Sequence, residues 1–237
     1  MQVKEGALKA FFGDEHLMAL MSDASINFMP TDFDAPLTAE QRVYLKREFD
    51  LDVPKVFWRK QVHSNDVLVA RGGVDGSKDR PDADACITDE KDLPIAIRTA
   101  DCVPVFIFDG RRRAIGLAHA GWKGTYKGIA ARTIQKMHEQ FSCRTSDLKV
   151  FLGPSIRECC YQVGEEFRAF FPSYIKERQG RLYADMISAN LDQLLQAGIR
   201  RENMSDSGLC TCCDKDYFSF RRDGQKAGRM ISLMMLK

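Results

Sequence analysis

Three residues of this chain could do chemistry together: His63, Cys102 and His119. His63 sits at the Ser64-Asn65-Asp66 break between two β-rich runs, Cys102 follows Ala100-Asp101 and opens the run Val103-Pro104-Val105-Phe106-Ile107-Phe108, and His119 closes the run Ala114-Ile115-Gly116-Leu117-Ala118. All three read as strand ends, where a rigid sheet fixes a side chain while loops leave it accessible. Two imidazoles and one thiolate suit zinc, which takes nitrogen and sulfur donors, and three protein ligands leave a fourth position open for water or substrate. The residue types alone equally admit a buried thiol and hydrogen-bonded core histidines. Of the four histidines, His16 has no supporting pattern. His138-Glu139 lacks the second His of HExxH, Ser142 standing in its place, and reads as a helix-surface residue.

A second kind of chemistry surrounds the trio. His119-Ala120-Gly121-Trp122-Lys123-Gly124 runs from a strand end into a helix start, where backbone N–H groups and the helix dipole favour an anion and Lys123 adds a cation. Phe218-Ser219-Phe220-Arg221-Arg222 offers two guanidinium groups suited to phosphate or carboxylate, or else surface arginines on a hairpin. In an unbroken strand Arg221 and Arg222 would face opposite sides, and so would Asp101 and Cys102 unless the strand ends at Ala100. Cys210-Thr211-Cys212-Cys213 holds one C-x-x-C, and Cys159-Cys160 is only a vicinal pair. A zinc ribbon wants two C-x-x-C pairs, so the spacing predicts that Cys159, Cys160, Cys210, Cys212 and Cys213 form neither disulfides nor a second metal site, with Cys210 packed beside the first. A zinc nucleobase deaminase of the H-x-E type is excluded, since His63-Ser64-Asn65 lacks the Glu and no Pro precedes Cys210.

The elements that must position these groups are legible in part. Thr38-Ala39-Glu40-Gln41 has capping-box spacing and predicts a helix to Phe49. Residues 55–71 read as a strand, a turn and a second strand, and residues 72–82 as a polar surface loop fit for a lid. Residues 83–88, 93–98, 103–108 and 114–118 read as the strands of a sheet core. Ala130, Ile134, Met137 and Phe141 predict one helix over 124–141; Ile187, Leu191, Leu194 and Leu195 predict another, ended by Gly198. Residues 217–221 and 230–236 read as two strands around Asp223-Gly224.

Composition sets the bounds. The 237 residues are 44% hydrophobic, enough for a substantial core, and no Pro/Gly/Ser linker divides them, so one α+β domain over 1–237 is expected. The formal net charge of +2 is too balanced for a dedicated nucleic-acid binder. The apolar runs are too short for a membrane span, the N-terminus resembles no secretory signal, and eight cysteines at uneven spacing read as reduced thiols, so a cytoplasmic location is expected.

Taken in order, Gln61-Val62-His63, Thr99-Ala100-Asp101-Cys102-Val103-Pro104, Ala118-His119-Ala120-Gly121-Trp122-Lys123-Gly124, Leu152-Gly153-Pro154, and Phe218-Ser219-Phe220-Arg221-Arg222 with Gly228-Arg229-Met230 resemble the YfiH-type family. Its members are labelled purine nucleoside phosphorylases and, historically, laccase-like polyphenol oxidases. The resemblance runs from about Val56 to the C-terminus. It implies an α+β fold of mixed β-sheets with outer helices, like that of the cytotoxic necrotizing factor deamidases, and a zinc site made of His63, Cys102 and His119, which would also be the catalytic residues. It further implies phosphorolysis of adenosine, inosine, guanosine and methylthioadenosine, and deamination of adenosine. The chain departs from the family at Met21–Asn27, where S-T-R and G-G are usual, at Ser64 in place of Gly, and at Lys123 in place of Arg.

The function expected is therefore a zinc-dependent purine nucleoside phosphorylase with adenosine deaminase activity. Its partners would be a purine nucleoside and phosphate, with no nucleic acid and no membrane, and phosphate would lie by Lys123, Arg221 and Arg222. Asp101, Asp84 and Glu165 compete for the role of general acid. The alternatives are a Cys-His hydrolase or deamidase using Cys102 and His119, a copper-dependent phenol oxidase, and a non-catalytic module with a structural zinc. Two His and one Cys can hold blue copper, but His16 and His138 cannot supply the imidazoles of a trinuclear copper cluster.

Overall fold

A computed structural model describes residues 2–3, 8–9, 12–29, 36–52, 56–72 and 81–237. The strands β1 (Gln2–Val3), β2 (Leu8–Lys9) and β3 (Leu17–Met21) precede helix α1 (Ala39–Phe49). Next come β4 (Val67–Val69), β5 (Ala85–Thr88), β6 (Ile95–Thr99), β7 (Val103–Asp109), β8 (Ala114–Ala120), α2 (Trp122–Tyr126) and α3 (Ile129–Phe141). The chain continues through β9 (Lys149–Leu152), β10 (Gln162–Val163), α4 (Phe167–Phe170), β11 (Ile175–Arg178), β12 (Arg181–Ala184), α5 (Met186–Gln196) and β13 (Met204–Asp206). It ends with α6 (Phe220–Asp223) and β14 (Met230–Leu236).

Two sheets lie face to face. One has the order β13-β9-β7-β8-β5-β4, the other β1-β2-β3-β14-β6, and a small third sheet, β10-β12-β11, stands apart from both. Side-chain alternation along β7 explains the layering. Val103, Val105 and Ile107 face outward to a cluster with Ile134, Met137 and Leu194 of α3 and α5. Phe106 and Phe108 face inward to Met21, Ile97, Met230 and Met234 of the five-stranded sheet. Leu20, Leu233 and Met235 on the far face of that sheet bury Tyr44, Leu45 and Phe49 of α1. The result is helix, sheet, sheet, helix: the single α+β domain of mixed sheets with outer helices that the sequence suggests. No helix among the described residues is long and apolar enough to cross a membrane.

Local signals account for most elements. Thr38 Oγ1 accepts from Gln41 N at 3.2 Å and Gln41 Oε1 accepts from Thr38 N at 3.0 Å, the capping box read from the sequence. The β7–β8 turn is closed by Asp109 Oδ1, which accepts the N–H groups of Arg111 and Arg112. Gly116 lets α3 lie close on β8, since a Cβ there would meet Met137 Sδ at 2.9 Å.

Three expectations are corrected. The helix expected over 124–141 is two helices, α2 and α3, because Gly128 adopts φ 76 and breaks the run. The strand expected over 217–221 is a turn leading into α6: Ser219 Oγ accepts from Arg222 N at 3.2 Å, and this helix cap overrides the β-favouring aromatics. Of the two strands expected over 55–71, only β4 forms; Phe57 makes an isolated bridge to Ile95. The lid expected over 72–82 lies mostly outside the described residues.

Candidate active site

Strand β6 ends at Thr99, so Ala100, Asp101 and Cys102 form the crossing from the five-stranded to the six-stranded sheet. Asp101 takes φ 84 there, a conformation costly for a residue with a Cβ. It is held by three contacts: its carboxylate accepts from Thr211 Oγ1 and from Arg221 N, each at 2.7 Å, and its carbonyl accepts from Ile156 N at 2.8 Å. Because the strand has ended, Asp101 and Cys102 both reach one cavity instead of opposite faces.

Asp84, fully buried just before β5, organises the other two groups. Its carboxylate accepts the backbone N–H groups of Val62, His63 and Ser64 at 3.2, 3.0 and 2.6 Å, which fixes the loop carrying His63 at φ 58. The same carboxylate lies 2.8 Å from His119 Nδ1. His63 and His119 meet edge to face at 4.8 Å between ring centroids. Cys102 Sγ is 3.9 Å from His63 Nε2, and the three donor atoms lie within 4.8 Å of one another. A tetrahedral zinc with one nitrogen and one sulfur ligand separates them by about 3.6 Å, so the set fits that ion with little adjustment. Asp84 supplies the carboxylate that ligating histidines usually bond through their other nitrogen, leaving Nε2 of His119 for the ion. Gly121 completes the enclosure: a Cβ there would stand 2.5 Å from His63 Cδ2 and 3.1 Å from Cys102 Sγ.

The electrostatics agree with the donor chemistry. Burial alone would raise the Cys102 thiol, but the charge and hydrogen bond of His119 and the nearby His63 bring it down to about 6. Burial opposes charge on His119, yet Cys102 and Asp84 together raise it to about 9. Burial likewise opposes charge on Asp84, whose bonds from His119 and Ser64 hold it at about 2.

The trio opens into a cavity of about 590 Å³, within the roughly 300–1,000 Å³ of small-molecule sites. Four arginines line it: Arg59, Arg98, Arg221 and Arg229. Arg98 is buried with its guanidinium 3.5 Å from the centre of the Trp58 ring, and its Nε has no hydrogen-bond partner among the described residues. Arg229 is brought in by β14, whose Met230 pairs with Thr99 of β6. Trp122, Tyr161 and Phe220 supply aromatic surface, and Met29 reaches in from the segment before α1.

Other expected groups go elsewhere. Lys123 is exposed, its ammonium 5.5 Å from the Trp122 ring, and does not line the cavity. Arg222 turns away, because α6 sends consecutive side chains in diverging directions; its guanidinium donates to the carbonyls of Thr211, Cys212, Asp214 and Tyr217. Of the three acids, only Asp101 lines the cavity; Asp84 is committed to the loop and to His119, and Glu165 is exposed and paired with Arg168. His138 Nδ1 bonds the carbonyl of Cys143, and His16 is exposed, so neither joins the trio. Arg59, Arg98 and the placement of Arg229 were not read from the sequence, although a charge inside Phe57-Trp58-Arg59 and Ile95-Ala96-Ile97-Arg98 is a signal that a buried role was available.

Comparison with known proteins places this geometry among relatives. Residues 22–237 match the family described as multi-copper polyphenol oxidoreductase laccase, a match that begins well before Val56. A purine nucleoside phosphorylase of Clostridium acetobutylicum is 36% identical over 191 residues, covering 78% of this chain and 79% of that protein. The purine nucleoside phosphorylase YlmD of Bacillus subtilis is 32% identical over 221 residues, covering 87% and 79%. Among solved structures, the hypothetical protein YfiH of Bacillus licheniformis superposes with a TM-score of 0.81 at 26% identity, covering 93% of each chain. YlmD of Geobacillus stearothermophilus gives 0.80 at 26% identity, covering 94% of this chain and 93% of its own.

Proposed function

From the premise that this chain belongs to the multi-copper polyphenol oxidoreductase laccase family, we propose that it is a zinc-dependent purine nucleoside phosphorylase that also deaminates adenosine. The observation that carries this reading is the convergence of His63, Cys102 and His119 on a cavity that also presents four arginines and three aromatic rings. The names of the Clostridium and Bacillus relatives support it. Zinc bound by the trio supplies a Lewis acid and a means of acidifying water at its open position.

The chain's own residues do the rest. Asp84 keeps a proton on His119 Nδ1 and so fixes the tautomer. Trp122, Tyr161 and Phe220 offer faces against which a purine can lie. Arg59, Arg98, Arg221 and Arg229 offer guanidinium donors for a phosphate dianion. Asp101, already accepting from Thr211 and Arg221, serves as a positioning residue for the Cys102 turn.

A second reading has one observation in its favour. Cys102, His119 and Asp84 line up as thiol, imidazole and carboxylate, the order of a Cys-dependent hydrolase or deamidase. His63, 3.9 Å from the same sulfur, is surplus to such a triad and is accounted for by a three-donor metal set. The copper oxidase reading lacks imidazoles, as His16 and His138 stay away from the trio.

The test is base release from adenosine and inosine, with and without phosphate, alongside zinc analysis. Phosphate-dependent formation of a pentose phosphate, lost in Cys102→Ala together with one zinc per chain, is the expected result. Free ribose at an undiminished rate without phosphate would sink the phosphorylase reading. Full activity with unchanged zinc in Cys102→Ala would sink the ligand set.

A further inference from the structure

We propose that Cys159, Cys160, Cys210 and Cys213 form a second metal centre, a four-thiolate site for structural zinc. This reverses the sequence expectation, which looked for two C-x-x-C pairs; the fold instead completes one C-x-x-C with the vicinal pair from a distant turn. The four Sγ atoms lie within 4.8 Å of one another, with Cys159 Sγ 3.6 Å and Cys160 Sγ 3.3 Å from Cys213 Sγ. Four sulfurs around one zinc at about 2.3 Å stand about 3.8 Å apart, so the four thiols already have the spacing of a single tetrahedral ion. The sulfurs that hold an iron–sulfur cluster would have to stand farther apart to surround it. All eight cysteines are free thiols.

The backbone is arranged for a thiolate as well. The backbone N–H groups of Cys213, Arg157 and Cys212 lie near Cys210 Sγ, an arrangement that favours ligating sulfur. Cys210 is buried at the base of the cluster while Cys159 and Cys213 are exposed, which gives an ion a path of entry. Soft thiolate donors in a tetrahedral set select zinc over hard cations. Binding displaces the thiol protons to solvent and transfers no electrons.

The location gives the centre a task. A parallel bridge joins Ser155 to Cys210, and the two cysteine turns flank the wall of the active-site cavity. Arg221 Nη1 donates to the carbonyls of Cys160 and Gln162 at 3.4 and 2.7 Å, while Thr211 between the cysteines donates to Asp101. An ion clamping the two turns would fix Tyr161 and Arg221 against the cavity. The inference stands independently of the proposed reaction.

Metal analysis of the full chain, purified under reducing conditions without added metal, tests it. Expected are two zinc per chain in the wild type, one in Cys102→Ala and one in Cys159→Ser/Cys213→Ser. Cobalt(II) added to metal-free Cys102→Ala protein should give the intense sulfur-to-cobalt charge-transfer and tetrahedral ligand-field bands of a four-thiolate centre. That readout depends neither on activity nor on whether the doubly substituted chain folds. A single zinc that survives Cys102→Ala supports this centre and removes the first one. A single zinc that disappears with Cys102→Ala, absence of the cobalt bands, iron in place of zinc, or an intact mass two hydrogens low from a disulfide among these four would overturn it.

Discussion

Asp84 shows how much one buried carboxylate can organise. It is fully buried and satisfied by three backbone N–H groups and one imidazole, so it joins the His63 loop, strand β5 and His119 of β8 through a single group. Its bonds hold the pKa at about 2 against the ordinary 3.8, and the ionised form therefore favours the folded state. The contribution, about 2 kcal/mol, is complete above pH ~4 and is lost as the pH falls through about 2. Replacing Asp84 with Ala leaves those donors unpaired, at about 1–3 kcal/mol for each group kept from water. Chemical denaturation at several pH values should find Asp84→Ala less stable at neutral pH, with the difference narrowing toward pH 2. A difference that widens on acidification would mean that the carboxylate is not what holds the loop. Sequence alone placed Asp84 only among three candidate acids, because its four-way role depends on residues 20 to 35 positions away.

At the level of elements, the strands most accurately read from the sequence were β5 to β8, whose apolar runs leave little choice of conformation, and the helix best read was α1, whose capping box is purely local. The misreadings share a cause: a local composition outvoted by a single backbone-directed group. Gly128 divides α2 from α3, and the Ser219 cap turns an aromatic stretch into α6. Both deviations bear on the site: α2 is a short helix of its own starting at Trp122, just past the end of β8, and α6 separates Arg221 from Arg222. The start of α2 is the tightest point, since Gly121 packs on His63 and Cys102. Gly121→Ala should displace His63 while leaving the buried stripe of α3 intact, so zinc affinity and activity should fall at least tenfold with a small loss of stability. Met137→Ala, which empties a fully buried position between α3 and β8, should do the reverse, costing about 2–5 kcal/mol with the metal set unchanged. Paired metal titration and thermal melting separate the two. Equal zinc affinity in Gly121→Ala and wild type would show that the His63 loop moves freely to accommodate the methyl group.

Across the whole molecule, the cavity lies where β6 hands over to β7, between the two sheets, and residues 98–102 of that crossing line it. That His63, Cys102 and His119 come together was legible because those residue types suit one metal-binding set, whichever elements carry them. Of the four arginines only Arg221 was named, and its route into the cavity, through the bonds of α6 to Asp101, was not legible, nor was that of Arg229, which arrives through the pairing of β14 with β6. The proposed reading puts the anion in the cavity and not beside Lys123. Lys123 stands outside on an exposed turn of α2, a helix of five residues, whereas Arg98, Arg221 and Arg229 face the space beside the metal set. A charge-assisted bond to a phosphate oxygen contributes roughly 1.5–3 kcal/mol. In phosphorolysis assays Arg229→Ala and Arg221→Ala should therefore raise the KM for phosphate about tenfold or more, with the binding of the nucleoside less affected. Lys123→Ala should change it less than about twofold, as a solvated cation outside the cavity contributes little through screened water. The opposite ranking, with Lys123→Ala the most damaging, would move the anion to the mouth of α2 and return the arginine-lined cavity to the base and sugar alone.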